Sequence, residues 1–195
     1  MRKTKTERMV VMSLLAAFAY ILLLIDFPVL LTFPWLKIDF SDIPILIGAF
    51  IYGPAGGAMI AFVRSTLKFI TSGGDLGSLI GNTTGFLASL TLIFPVYYLS
   101  KKGTSTKGLV KGLALGTILL TIFMSIANYY VITPFYLYVL GMDFGMPIAE
   151  MILYGIIPFN IIKGIIVSSA FVVVYKKLLP TIEKRLTVVD HKVSQ

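Results

Sequence analysis

The sequence predicts an all-α membrane protein, a six-transmembrane-helix bundle with both termini in the cytoplasm, and three observations carry that prediction. The 195 residues are 57% hydrophobic and 13% charged, with a mean hydropathy of +0.91, against roughly 25% charged residues in a soluble domain. Apolar runs long enough to cross a bilayer recur along the chain. Basic residues collect at alternate connections between those runs, the distribution of cytoplasmic loops. With no Pro/Ser-rich linker or polar block, 1–195 is expected to form a single integral membrane domain.

The first apolar run follows Arg2, Lys3, Lys5 and Arg8 and continues to Ile25 without a small-x-small cleavage site. It is therefore expected as a retained helix near 9–25 and not as a removed signal peptide. The stretch 43–71 is too long for one span and is broken by Gly53, Pro54, Gly56 and Gly57. It reads as two short helices near 43–53 and 55–71, joined by a tight turn. Further helices are expected near 78–100, 108–133 and 147–178.

Parity supports six spans, because both termini and the 101–111 connection are basic and belong on one side of the membrane. The outer connections are then 26–42, 72–77 and 134–146. The first is the longest and holds Phe33, Trp35, Phe40, Asp26, Asp39 and Asp42, the makings of a lid. The net charge of +8 sits in the N-terminal run, in Lys101, Lys102, Lys107 and Lys111, and in Lys176, Lys177, Lys184, Arg185 and Lys192. These flank apolar segments, so their expected neighbour is anionic lipid and not nucleic acid. The chain has no cysteine, which excludes disulfides and thiolate chemistry, and its one histidine, His191, lies in a polar tail.

Two glycine ladders, Gly73, Gly77, Gly81, Gly85 and then Gly108, Gly112, Gly116, repeat every four residues. That spacing puts each on one helix face, where small residues let backbones approach closely. Charged groups at mid-bilayer cost at least about 2.5 kcal/mol, so the few polar residues within the spans are the informative ones. They are Arg64, Lys68, Asn82, Asn128, Asn160 and Lys163.

Asn160 and Lys163 share one face of the last helix, just after Pro158, and with Asn128 form a candidate ligand cluster. The expected surround is aromatic: Phe123, Tyr129, Tyr130, Tyr154 and Phe159. The competing reading is a structural pairing of Lys163 with a carboxylate such as Glu150. Arg64 and Lys68 suit either snorkelling to headgroups or lining the pocket. Asp39, Ser41 and Asp42 are expected to cap the helix that begins near Ile43. No histidine or second intramembrane carboxylate is available for acid/base catalysis, so no enzymatic activity is expected. The nearest approach to an ATP-binding P-loop, Gly103 to Gly108 (GTSTKG), lacks the required spacing. Energy for uphill transport would come from another subunit or an ion gradient.

Across essentially its whole length the chain resembles the substrate-binding S components of energy-coupling factor (ECF) vitamin transporters, specifically the riboflavin-binding members. The residues that carry this are the basic N-terminus, IDFSDIP (Ile38 to Pro44), GPAGG (Gly53 to Gly57), a lysine in the third helix, GNTTG (Gly81 to Gly85), Asn128 before Tyr129, and Asn160 with Lys163. The resemblance implies a multi-pass protein of the bacterial plasma membrane that captures riboflavin from outside. It also implies docking onto a transmembrane coupling subunit driven by two ATPase subunits, with no cofactor of its own. By matching position Asn128, Asn160 and Lys163 would bond the flavin, and Lys68 with the 26–42 backbone would meet the ribityl hydroxyls. Docking would use small residues of the first helix, where Ser13 and Ala17, with Ala16 beside them, stand in place of the family's Ala-xxx-Ala. The alternatives are an S component for another vitamin, a membrane enzyme, or an assembly protein whose polar residues only knit helices.

Overall fold

The computed structural model describes residues 5–100 and 105–190, with side chains described as far as Lys177. Lys101, Lys102, Gly103 and His191, and the side chains of Lys184 and Arg185, lie outside the described residues, as does Lys192.

Helix α1 spans Lys5–Leu24 and leads into a short antiparallel hairpin, β1 (Phe27–Pro28) with β2 (Lys37–Ile38), in the register Phe27 to Ile38. Helices α2 (Asp42–Tyr52), α3 (Pro54–Thr71), α4 (Leu76–Leu99) and α5 (Thr106–Ala127) follow. The helical path of α5 continues through π-helical turns at Asn128–Ile132 and Phe135–Val139. Helix α6 (Ile148–Met151), a π-helical turn at Ile152–Ile156 and α7 (Ile157–Asp190) close the chain. Four of these helical stretches, Lys5–Leu24, Leu76–Leu99, Thr106–Val139 and Ile148–Lys177, are long and apolar enough to cross a membrane.

The corner between α2 and α3 is made by Gly53 at φ +81°, a conformation open to glycine, with Pro54 starting α3 where its missing N–H costs nothing. The α5 path runs past the expected end near 133 because Pro134, at φ −56°, keeps helical geometry. Ends are matched across the bundle. Arg8 of α1 lies over the Tyr52 ring at 5.6 Å at one end, and Tyr20 of α1 donates to Thr71 of α3 at 2.9 Å at the other.

The core joins Ala16 and Ala19 of α1 to Ile45, Leu46 and Ala49 of α2, Ile60 and Ala61 of α3, and Phe171 of α7. Ala16, expected on a partner-facing surface, is 1% exposed inside this core. The reason is helical period: Ser13 and Ala17 share an outer face and are exposed, whereas Ala16 and Ala19 share the inner one.

The two glycine ladders part company. A Cβ on Gly112 would lie 2.7 Å from the Val96 Cα and one on Gly116 2.9 Å from Leu92, so this ladder seats α5 against α4. Gly73 does not belong to α4. With Gly74 it turns the chain at φ +98° and +67°, and Asp75 caps α4 by accepting from the Ser78 N–H at 2.6 Å.

Candidate functional site

A cavity of 340 Å³ lies between the hairpin segment and helices α3, α4, α5 and α7. Asn128, Asn160, Lys163 and Lys68 all line it, so the residues predicted from sequence converge on one space. Asn128 sits at the start of a π-helical turn, and Asn160 and Lys163 follow the one at Ile152–Ile156. The Asn128 amide nitrogen donates to the Met124 carbonyl at 2.8 Å and that of Asn160 to the Ile156 carbonyl at 2.8 Å. Each bond fixes the rotamer and leaves the carboxamide oxygen without a donor among the described residues.

Lys163 faces a carboxylate, but not Glu150. Its Nζ lies 3.5 Å from Asp39 Oδ2 in the α1–α2 connection. Asp39 Oδ1 accepts the Ser41 backbone N–H at 2.8 Å. Burial alone raises the proton affinity of this carboxyl, but the Lys163 ammonium, the Ser41 hydrogen bonds and the Arg64 guanidinium together hold it below the usual carboxylate range.

The expected cap on α2 is not made: the Ser41 hydroxyl accepts no backbone N–H from the helix start and instead accepts from Arg64 Nη1 at 2.7 Å. Nor does Arg64 snorkel. It is 4% exposed and 3.6 Å from Asp42, whose carboxylate also takes the Ser89 hydroxyl at 2.6 Å. A guanidinium with acceptors on α4 and at the α2 start is better satisfied inside than at a headgroup. Lys68, one turn further along α3, is half-buried in the cavity wall and has no ion-pair partner among the described residues.

The aromatic surround differs from expectation. Phe159 lines the cavity, whereas Tyr129, Tyr130 and Tyr154 are exposed on the outside. With Asn128 turned inward, the next two residues are carried round to the outer face. The second aromatic wall is Trp35 of the hairpin segment, held edge-on to Phe33 at 5.6 Å and against Phe144 at 5.4 Å. Phe33 is itself 3% exposed and pressed on Gly155, where a Cβ would lie 2.9 Å from the ring. A salt bridge from Lys37 to Asp26 at 2.9 Å ties the hairpin ends together.

The family of ECF transporter substrate-specific components matches residues 7–175. The chain belongs to this family. The S component is 38% identical to the riboflavin transporter FmnP of Bacillus subtilis (strain 168), over 93% of this chain and 96% of that protein. It is also 38% identical to the riboflavin transporter RibU of Staphylococcus aureus (strain TCH60), over 89% of this chain and 91% of that one. Among solved structures it matches the S component of a bacterial ECF transporter with a TM-score of 0.77 at 37% identity, covering 92% of this chain and 99% of the other.

Of the two sequence readings of Arg64 the pocket-lining one holds, and Trp35 of the expected lid lines the same cavity, but sequence reasoning did not place Asp39, Asp42 and Ser89 there. Charge balance carried a signal for them. The helices bring Arg64, Lys68 and Lys163 inside, and buried cations need counter-charges. The carboxylates of the α1–α2 connection were the nearest source.

Proposed function

We propose that this chain binds riboflavin from outside the cell and mediates its uptake as the membrane-embedded S component of an ECF transporter. The observation that carries the reading is the convergence of Asn128, Asn160 and Lys163 on one 340 Å³ cavity, a volume suited to a small organic ligand. The pyrimidine edge of a flavin alternates carbonyl acceptors with an N–H donor. The second N–H of each carboxamide and the Lys163 ammonium can donate to the carbonyls, a carboxamide oxygen can accept from the flavin N–H, and Trp35 and Phe159 suit the faces of the flat ring. Lys68, without an ion-pair partner among the described residues, is the candidate for the ribityl hydroxyls. Riboflavin as substrate also accords with the names of the curated relatives.

In this reading the chain is one domain that passes the bacterial plasma membrane six times, through α1, α2, α3, α4, the α5 path and the α6–α7 path, with both termini cytoplasmic. Helix α2, with 11 residues, is about 16 Å long. It therefore crosses only the inner part, and the hairpin segment fills the outer part above it. Ser13 and Ala17 face the transmembrane coupling subunit, and two ATPase subunits supply the energy.

Growth of a riboflavin auxotroph tests the reading. Expression of this chain with a coupling subunit and its two ATPases should permit growth on low riboflavin, and the chain without them should not. No rescue by the complete set would contradict it.

A further inference from the structure

Arg64 makes more contacts than a buried ion pair needs. Its Nη2 reaches Ser65 Oγ at 3.2 Å, Ser89 Oγ at 3.3 Å and the Gly85 carbonyl at 3.2 Å, while Nη1 lies 3.6 Å from Asp42. The shortest bond goes elsewhere, from Nη1 to Ser41 Oγ at 2.7 Å. Ser41 in turn donates its backbone N–H to Asp39, and Asp39 meets Lys163. One line of contacts therefore runs from the α3–α4 wall through the outer segment to the α7 wall of the same cavity.

The chemistry of the groups gives the line a purpose. An ammonium has three donors, and a carboxylate on one side neutralises it while leaving the other donors for a ligand. Where that carboxylate sits decides which way the free N–H groups point. Asp39 lies in a connection and not on a helix, so its position depends on what holds the connection down. A guanidinium is a rigid planar fork that can engage α4 and Ser41 together, which a point-charge lysine cannot.

We propose that Arg64 is a positioning residue for substrate binding: by gripping Ser41 it fixes where Asp39 meets Lys163, and so sets affinity by way of Asp39. The proposal rests on the reading of this cavity as a riboflavin site.

A thermodynamic cycle on riboflavin affinity, read by quenching of flavin fluorescence with the purified chain, tests it. Ser41→Ala removes the link yet leaves the Arg64–Asp42 pair intact, and should weaken binding about five-fold, the worth of one hydrogen bond. In an Asp39→Asn or Lys163→Met background the same substitution should change affinity by less than about two-fold. Arg64→Lys should show the same pattern, and if it does not fold, Ser41→Ala decides alone. An equal loss in all backgrounds would mean that this cluster meets the ligand directly or acts through general stability, and would overturn the proposal. So would unchanged affinity of Ser41→Ala in the otherwise native chain. Absence of quenching by the native chain is a distinct result, which removes the riboflavin reading and this proposal with it.

Discussion

The Asp39 carboxylate and the Lys163 ammonium lie 3.5 Å apart, joining the α1–α2 connection to the face of α7 that carries Asn160. Sequence alone presented a ligand role and a structural role for Lys163 as alternatives. The geometry lets the residue do both. Lys163→Met should therefore lower riboflavin affinity about ten-fold to a hundred-fold, for loss of a charged hydrogen bond. It should also lower the ligand-free melting temperature, because Asp39 is left buried without its cation. Adding Asn at position 39 should restore melting temperature and leave affinity low. A double variant as unstable as Lys163→Met would show that the pair is not the source of the loss.

The ion pair also sets a pH dependence. Asp39 is held below the ordinary aspartate value of about 3.9, so it binds protons less readily folded than unfolded. Its contribution to stability is full above the unfolded value and is lost as pH falls through the lowered folded value. The difference in melting temperature between the native chain and Asp39→Asn should stay constant from about pH 8 to pH 5 and shrink below about pH 4. A difference that grows on acidification would reverse the sign and refute the pairing.

Phe33 seats the hairpin segment in the notch at Gly155, where an added Cβ would stand 2.9 Å from its ring. Gly155→Ala should unseat Phe33, and with it Trp35, loosening the cover over the cavity. The expected effect is a several-fold faster dissociation of riboflavin, with affinity changing through the off-rate. Stopped-flow displacement with excess unlabelled analogue measures it, and an unchanged off-rate would remove the notch from the account.

Ala16 and Ala17 are neighbours with opposite surroundings, one in the core and one exposed. Ala17→Trp should abolish uptake while riboflavin binding by the purified chain survives. Ala16→Trp should overpack the bundle and lose both, at a cost of about 1 to 3 kcal/mol or more. Retained uptake in Ala17→Trp would place the coupling subunit on another face.

Helix positions and the break at Gly53 were legible because apolar run length and Gly/Pro punctuation are local signals. The convergence of Asn128, Asn160 and Lys163 was legible because uncommon polar residues in apolar spans have few places to go. The partner of Lys163 was not, since Asp39 reaches it through a fold of the α1–α2 connection that no periodicity encodes. Ala16 was misplaced for a related reason: three small residues along α1 look alike until the bundle decides which face turns inward. Trp35 and Phe33 could be read as a lid, but the seat of Phe33 on Gly155 depends on a π-helical turn without a sequence signature.

The most direct measurement is a fluorescence titration of riboflavin with the purified chain and with Asn128→Leu/Asn160→Leu, which removes both carboxamide oxygens from the cavity wall. The account predicts saturable quenching at one riboflavin per chain for the native protein. It also predicts affinity lowered by at least about ten-fold in the double variant, for two lost hydrogen bonds in a buried site. Equal affinity in the two proteins would contradict it.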